Sequence, residues 1–256
     1  MAGESSDEVV PMWRRKTSVL VFGWAAICLV LPIVGQDLDA SKARQIKIPR
    51  AGGEPSLTLQ ISAEGRSGVV SVRNEKGSEV QSLVCHLLRD NSAPAETELT
   101  GVREQFILRF EVQDLDFDGH KDLMGVRDFG AKWARYCVWL YSPQQHIFVT
   151  DFLAQQMELL ANLATNGNGQ IVTSHLGPTN PWLAVYRIAS AIGSRPERQL
   201  VPAYSCLVET ASAGSTPKSV VATRYEGGQA IVRRREVAKM DASSALGLCS
   251  TVGKLR

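Results

Sequence analysis

An all-β fold of antiparallel sheets is what this sequence predicts, arranged in a propeller-like way, complete or incomplete, with one short helix. Three observations carry that expectation. Apolar and polar residues alternate with period two through many short stretches. Glycine, proline and asparagine punctuate those stretches at close intervals. Only one window holds apolar residues at sustained helical spacing.

The elements follow in order. Leu57, Leu59 and Ile61 alternate with Thr58, Gln60 and Ser62, which predicts a strand with one buried face. Val70 and Val72 continue the pattern after a Glu64-Gly65 turn, and residues 80–88 form a third candidate strand. Residues 90–100 are polar, contain Pro94 and are expected as a loop. Phe106, Leu108, Phe110 and Val112 alternate with Ile107, Arg109, Glu111 and Gln113, which predicts a strand running straight into an acidic segment. A second apolar stretch, 123–126, leaves that segment. Residues 133–141 are apolar on both faces and should form a central strand. Ser142-Pro143-Gln144-Gln145 then turns the chain into a partner strand at 146–149.

Residues 152–163 are the helical window, with Leu153, Met157, Leu160 and Ala164 near helical spacing. Asn166-Gly167-Asn168-Gly169 reads as a turn, and 171–174, 182–188, 200–209 and 218–225 as strands. Gly227-Gly228 between two strand patterns predicts a tight hairpin, because such turns need positive φ.

The chain of 256 residues carries a net charge of +2 and 44% hydrophobic residues, enough for a sizeable core. Near-neutrality gives no electrostatic footprint for nucleic acid. Arg14-Arg15-Lys16 precede an apolar run over 19–31, broken by Pro32 and followed by Gly35 before polar Gln36-Asp37. That order is the layout of a secretory signal. Residues 1–35 are therefore expected as a signal peptide, with an N-terminal anchor as the alternative, since 17–35 approaches the length of a bilayer span. Either reading exports the remainder, to the periplasm or the medium, or as a membrane-anchored domain. Ile27 before Cys28 is a poor match to a lipoprotein site. Residues 36–55 read as a polar linker and 56–256 as the all-β domain.

Beyond the leader stand four cysteines, Cys85, Cys137, Cys206 and Cys249. An even number in an oxidising compartment suggests two disulfides. Cys206 with Cys249 is the favoured pair, both lying in the C-terminal third. Cys85 and Cys137 fit equally well a bridge or two buried thiols.

The segment that names a chemistry is Asp114-Leu115-Asp116-Phe117-Asp118-Gly119-His120-Lys121-Asp122. Acidic side chains fall at its first, third, fifth and ninth positions and glycine at the sixth. That spacing builds a cage of hard oxygen ligands of the kind Ca²⁺ prefers. Asp114, Asp116, Asp118 and Asp122 would offer carboxylates and His120 its backbone carbonyl. Gly125 stands where an EF-hand places glutamate, and strand patterns flank the loop; both facts argue against a helix–loop–helix site.

This Asp-x-Asp-x-Asp-Gly-x-x-Asp-Leu pattern between strands resembles the calcium loop of FG-GAP repeats, the integrin-α and VCBS type. Residues 110–123, followed by Trp139-Leu140-Tyr141-Ser142-Pro143 and Ile147-Phe148-Val149, are similar to a bacterial envelope family in which a DxNFDGYxDL loop precedes a YLYDPxTGxF hairpin. The resemblance covers about residues 106–163. It implies an exported, propeller-like protein, and in some members an inhibitor or immunity partner of peptidoglycan-degrading enzymes. Integrin-type propellers carry several such loops; this chain carries one.

Other features point to blander roles. His86, His120, His146 and His175 lack paired zinc spacing. No Gly-x-Ser-x-Gly elbow or phosphate-cradling loop occurs. Arg233-Arg234-Arg235 reads as a solvated strand end, and Trp133, Tyr136, Trp139 and Tyr141 as core rather than a sugar platform. The expected function is thus an exported, calcium-stabilised binding protein with a protein partner in the envelope. The rivals are a metal-supported extracytoplasmic hydrolase, for which no base stands out, and a structural or adhesion module.

Overall fold

The computed structural model describes residues 43–49, 55–88, 96–166, 168–175, 180–190, 197–210, 217–227, 229–237, 244–245 and 248. All belong to one compact unit, Asp39–Arg256. The expected leader and Cys249 lie outside the described residues. Among the described residues no helix is long and apolar enough to cross a membrane.

Among the described residues three open antiparallel sheets form, and in each the strand order follows the sequence. The first holds β1 (Arg44–Ile48), β2 (Leu57–Glu64), β3 (Ser67–Arg73) and β4 (Glu79–His86). The second holds β5 (Glu111–Gln113), β6 (Asp122–Gly130), β7 (Trp133–Ser142) and β8 (Ile147–Val149). The third holds β9 (Ala164–Thr165), β10 (Gln170–His175), β11 (Trp182–Ser190), β12 (Arg198–Thr210), β13 (Pro217–Glu226) and β14 (Gln229–Glu236). Short turns between consecutive antiparallel strands produce this meander order. Glu226 faces Gln229 across the β13–β14 turn, where Gly227 takes φ +56°. None of the sheets closes on itself among the described residues.

Among the described residues two helices interrupt the strands: α1 (Glu96–Leu108) and α2 (Phe152–Glu158). The first corrects the sequence reading, which placed a loop at 90–100 and a strand through Phe106 and Leu108. Its buried face is Leu99, Val102, Phe106 and Ile107. The first three stand three and then four residues apart, a helical stripe that outweighs the short alternation from 106 onward. Only Glu111–Gln113 of the expected strand is extended. The helical window after Phe152 also stops early, at Glu158, and Ala164 joins β9.

The stretch expected as a linker contributes β1, paired with β2 from Arg44 opposite Ile61 to Ile48 opposite Leu57. Arg44 Nη1 donates to the carbonyls of Ile107 at 3.1 Å, Leu108 at 2.9 Å and Phe110 at 3.3 Å. A guanidinium at the C-terminal end of α1 satisfies carbonyls that the helix cannot and complements its dipole.

The second sheet is the centre of the molecule because both its faces are buried. Leu123, Cys137, Trp139 and Tyr141 join a cluster with β1–β4 and α1. Their neighbours Met124, Val138 and Leu140 join another with Leu153, Ala154 and Met157 of α2 and Ile171 of β10. Successive residues of one strand thus feed opposite cores, as the period-two geometry requires. Phe106 fixes the first of these interfaces. A Cβ on Gly68 of β3 or on Gly125 of β6 would stand 2.5 Å from its ring, so only glycine leaves room for it. Cys85 of β4 and Cys137 of β7 form a disulfide, with Cα atoms 5.8 Å apart, resolving the alternatives left open by the sequence. Cys206 is also disulfide-bonded; its partner lies outside the described residues.

Candidate metal centre

The acidic loop connects β5 to β6 and is built by its own aspartates. Asp114 Oδ2 accepts the N–H of Gly119 at 3.0 Å, Asp116 Oδ1 that of Asp118 at 3.2 Å, and Asp118 Oδ1 that of His120 at 2.8 Å. Short acidic side chains accept from backbone a few residues on, which bends the chain without a sheet partner. Gly119 takes φ +90° and Phe117 φ +61°, so the loop turns through two left-handed positions. Leu115, fully buried in the cluster beneath, pins its base.

Asp122, the first residue of β6, is fully buried. Its Oδ2 accepts from Leu115 N at 2.7 Å and Asp116 N at 3.3 Å, and its Oδ1 accepts from Tyr141 N at 2.8 Å. Burial, and then the neighbouring Asp116, push its pKa up to about 8, against the lowering effect of the backbone N–H groups. Asp116 is raised as well, again by burial first, with Arg198 opposing.

The structure brings Asp114, Asp116 and Asp122 together, each offering an oxygen within 4.8 Å of the others. The carboxylate of Asp118 is not part of that group; it is exposed and lines a neighbouring cleft. The imidazole of His120 packs against Tyr141, with ring centroids 5.3 Å apart.

These residues fit a hard divalent cation. All the donors are carboxylate oxygens. Asp114 Oδ1 is buried without a hydrogen-bond partner, a polar atom that a bound cation would satisfy. Three crowded carboxylates, two of them with raised pKa, are also the electrostatic environment that a dication would relieve.

Arg198, at the start of β12, escaped the sequence reading. Its guanidinium pairs with Asp116 Oδ2 and lies 3.7 Å from Asp151 Oδ2. Nothing local marks a lone arginine 82 residues from its partner. Asp151 did carry a signal, since it directly precedes the helical window. It is the N-cap of α2 and accepts from Ala154 N at 2.9 Å. Another unread pair is Arg127 with Glu158, whose Oε1 accepts from Val138 N at 3.2 Å.

Beside the loop opens a cleft of about 540 Å³, lined by Asp118, Tyr141, Gln144, Phe152, Glu197 and Arg198 among others. Phe152 is 47% exposed there. Of the remaining candidates, Trp139 and Tyr141 are core residues. Arg233, Arg234 and Arg235 lie on β14, exposed along its whole length, where Arg234 pairs with Glu209 at 2.5 Å. Comparison of the sequence with protein-family models and with curated proteins finds no match to either.

Proposed function

We propose that the chain is an exported, calcium-stabilised, β-rich binding protein of the bacterial cell envelope whose partner is a cell-wall hydrolase. The observation that carries this reading is the convergence of Asp114, Asp116 and Asp122 within 4.8 Å, with Asp114 Oδ1 buried and unsatisfied. Calcium held there would supply charge neutralisation. The chain's own residues do the rest. Asp122 ties the loop to β7, and Leu115 anchors it in the core. Asp118 and the carbonyl of His120 are the further ligands that the loop spacing suggests.

The loop and the β7–β8 hairpin that follows support the resemblance to the envelope family, and that resemblance alone supplies the class of partner. The two four-stranded meanders have the strand order of propeller blades, which supports a propeller-like arrangement. The basic cluster and apolar run of residues 14–31 support export. The cleft beside the loop offers a concave surface whose rim the metal would hold rigid.

The test is an inhibition assay. Purified protein is added to a panel of muramidases, lytic transglycosylases and amidases acting on peptidoglycan, in calcium and in chelator. Calcium-dependent inhibition of at least one enzyme is expected. Absence of binding and inhibition across the panel would remove the hydrolase partner. Turnover of glycan or ester substrates by the protein itself would replace the binding role with an enzymatic one.

A further inference from the structure

We infer that Arg198 is a tethered counter-cation that sets the metal affinity of the acidic loop by competing for Asp116. The inference rests on the calcium reading above and adds a residue that lies outside the loop. Asp114, Asp116 and Asp118 each commit one oxygen to a backbone N–H within the loop, through Asp114 Oδ2, Asp116 Oδ1 and Asp118 Oδ1, whereas Asp122 commits both. The second oxygen is the one left for a cation. On Asp114 that oxygen is buried and unpartnered, whereas on Asp116 it holds the Arg198 guanidinium. Arg198 therefore sits where, by the loop's own pattern, a metal–oxygen contact belongs.

The surroundings suit an exchange. The side chain of Asp116 is fully buried, so its charge needs a partner in the absence of metal. Arg198 is 37% exposed and borders the 540 Å³ cleft, which Asp151 and Glu197 also line, and Asp151 Oδ2 already lies 3.7 Å from the guanidinium. Without metal, the guanidinium neutralises Asp116 and keeps the loop folded. With metal, a dication close to a guanidinium is repelled, and Arg198 withdraws toward Asp151. The repulsion lowers calcium affinity relative to a chain with a neutral residue there, by on the order of tenfold or more for a partly exposed pair at this range. A site tuned this way responds to changes in free calcium instead of remaining saturated.

The test compares full-length wild type, Arg198→Gln and Arg198→Lys by calorimetric calcium titration and by melting in chelator. The expected result is calcium binding about tenfold or more tighter in Arg198→Gln, a lower Tm for that variant in chelator, and near-wild-type affinity in Arg198→Lys. Equal or weaker calcium binding by Arg198→Gln, while the wild type binds, would overturn the role of Arg198 and leave the metal site standing. Absence of calcium binding by all three proteins would instead overturn the metal reading, and this inference with it.

Discussion

The buried carboxylate of Asp122 accepts the backbone N–H of Tyr141 at 2.8 Å, joining the ninth position of the acidic loop to the strand that follows β6. Its other oxygen holds Leu115 and Asp116 from the loop itself. One side chain therefore closes the loop and stitches it to the centre of the second sheet. Asp122→Ala strands three buried N–H groups, those of Leu115, Asp116 and Tyr141, and is expected to cost about 3 kcal/mol or more. Asp122→Asn keeps one acceptor and should cost less. Urea denaturation in chelator measures both; an alanine variant as stable as wild type would show that the clamp contributes nothing.

The pH dependence follows from the same group. The folded state raises Asp122 from 3.8 to about 8, and Asp116 and Glu111 shift upward as well, each chiefly through burial. An acid that binds its proton more tightly when folded contributes stability that is complete below its unfolded pKa and is lost as pH rises through its folded pKa. For these groups, metal-free protein should lose stability from about pH 4 toward pH 8. Calcium replaces the proton, so the stabilisation by calcium should grow over the same window. Tm against pH, in calcium and in chelator, reads both slopes. Parallel curves would contradict the linkage.

Cys85 and Cys137 close a loop with a sequence separation of 52 residues and join the first sheet to the second. The chain-entropy treatment gives about 4 kcal/mol for a loop of this length. The double variant Cys85→Ser, Cys137→Ser should lose stability of that order in denaturant titration. A loss under about 1 kcal/mol would mean that the packing of the two sheets, not the bridge, restricts the unfolded chain.

Phe106 lies against Gly125, where an added Cβ would stand 2.5 Å from the ring. Gly125→Ala is therefore expected to cost about 1–3 kcal/mol by overpacking. Phe106→Ala should cost about 3–5 kcal/mol by opening a cavity. Combining Gly125→Ala with Phe106→Leu should recover part of the alanine penalty, because the smaller side chain makes room. Strict additivity in this cycle would show that the two positions do not share the contact.

Much of the strand architecture was legible, since one buried face imposes period two and glycine-rich turns mark the reversals. Residues 133–141 even announced burial on both faces, and Val138 and Trp139 now sit in opposite cores. At α1 the short alternation from Phe106 to Val112 is misleading, because the wider buried stripe of Leu99, Val102 and Phe106 sets a helix. The contacts of that helix with β3 and β6 depend on glycines distant in sequence, and nothing in a local window reveals them. The same holds at the site. Asp114, Asp116 and Asp122 converge as their spacing suggests, whereas Arg198 arrives from the third sheet through tertiary folding alone.

The most direct measurement is thermal melting of the purified chain in excess calcium and in excess chelator, with Asp114→Asn alongside. A cation that satisfies Asp114 Oδ1 and neutralises three crowded carboxylates binds the folded state alone and must raise its stability. A Tm several degrees higher in calcium, with most of that rise lost in Asp114→Asn, is the predicted result. Superimposable melting curves in calcium and chelator would contradict the account.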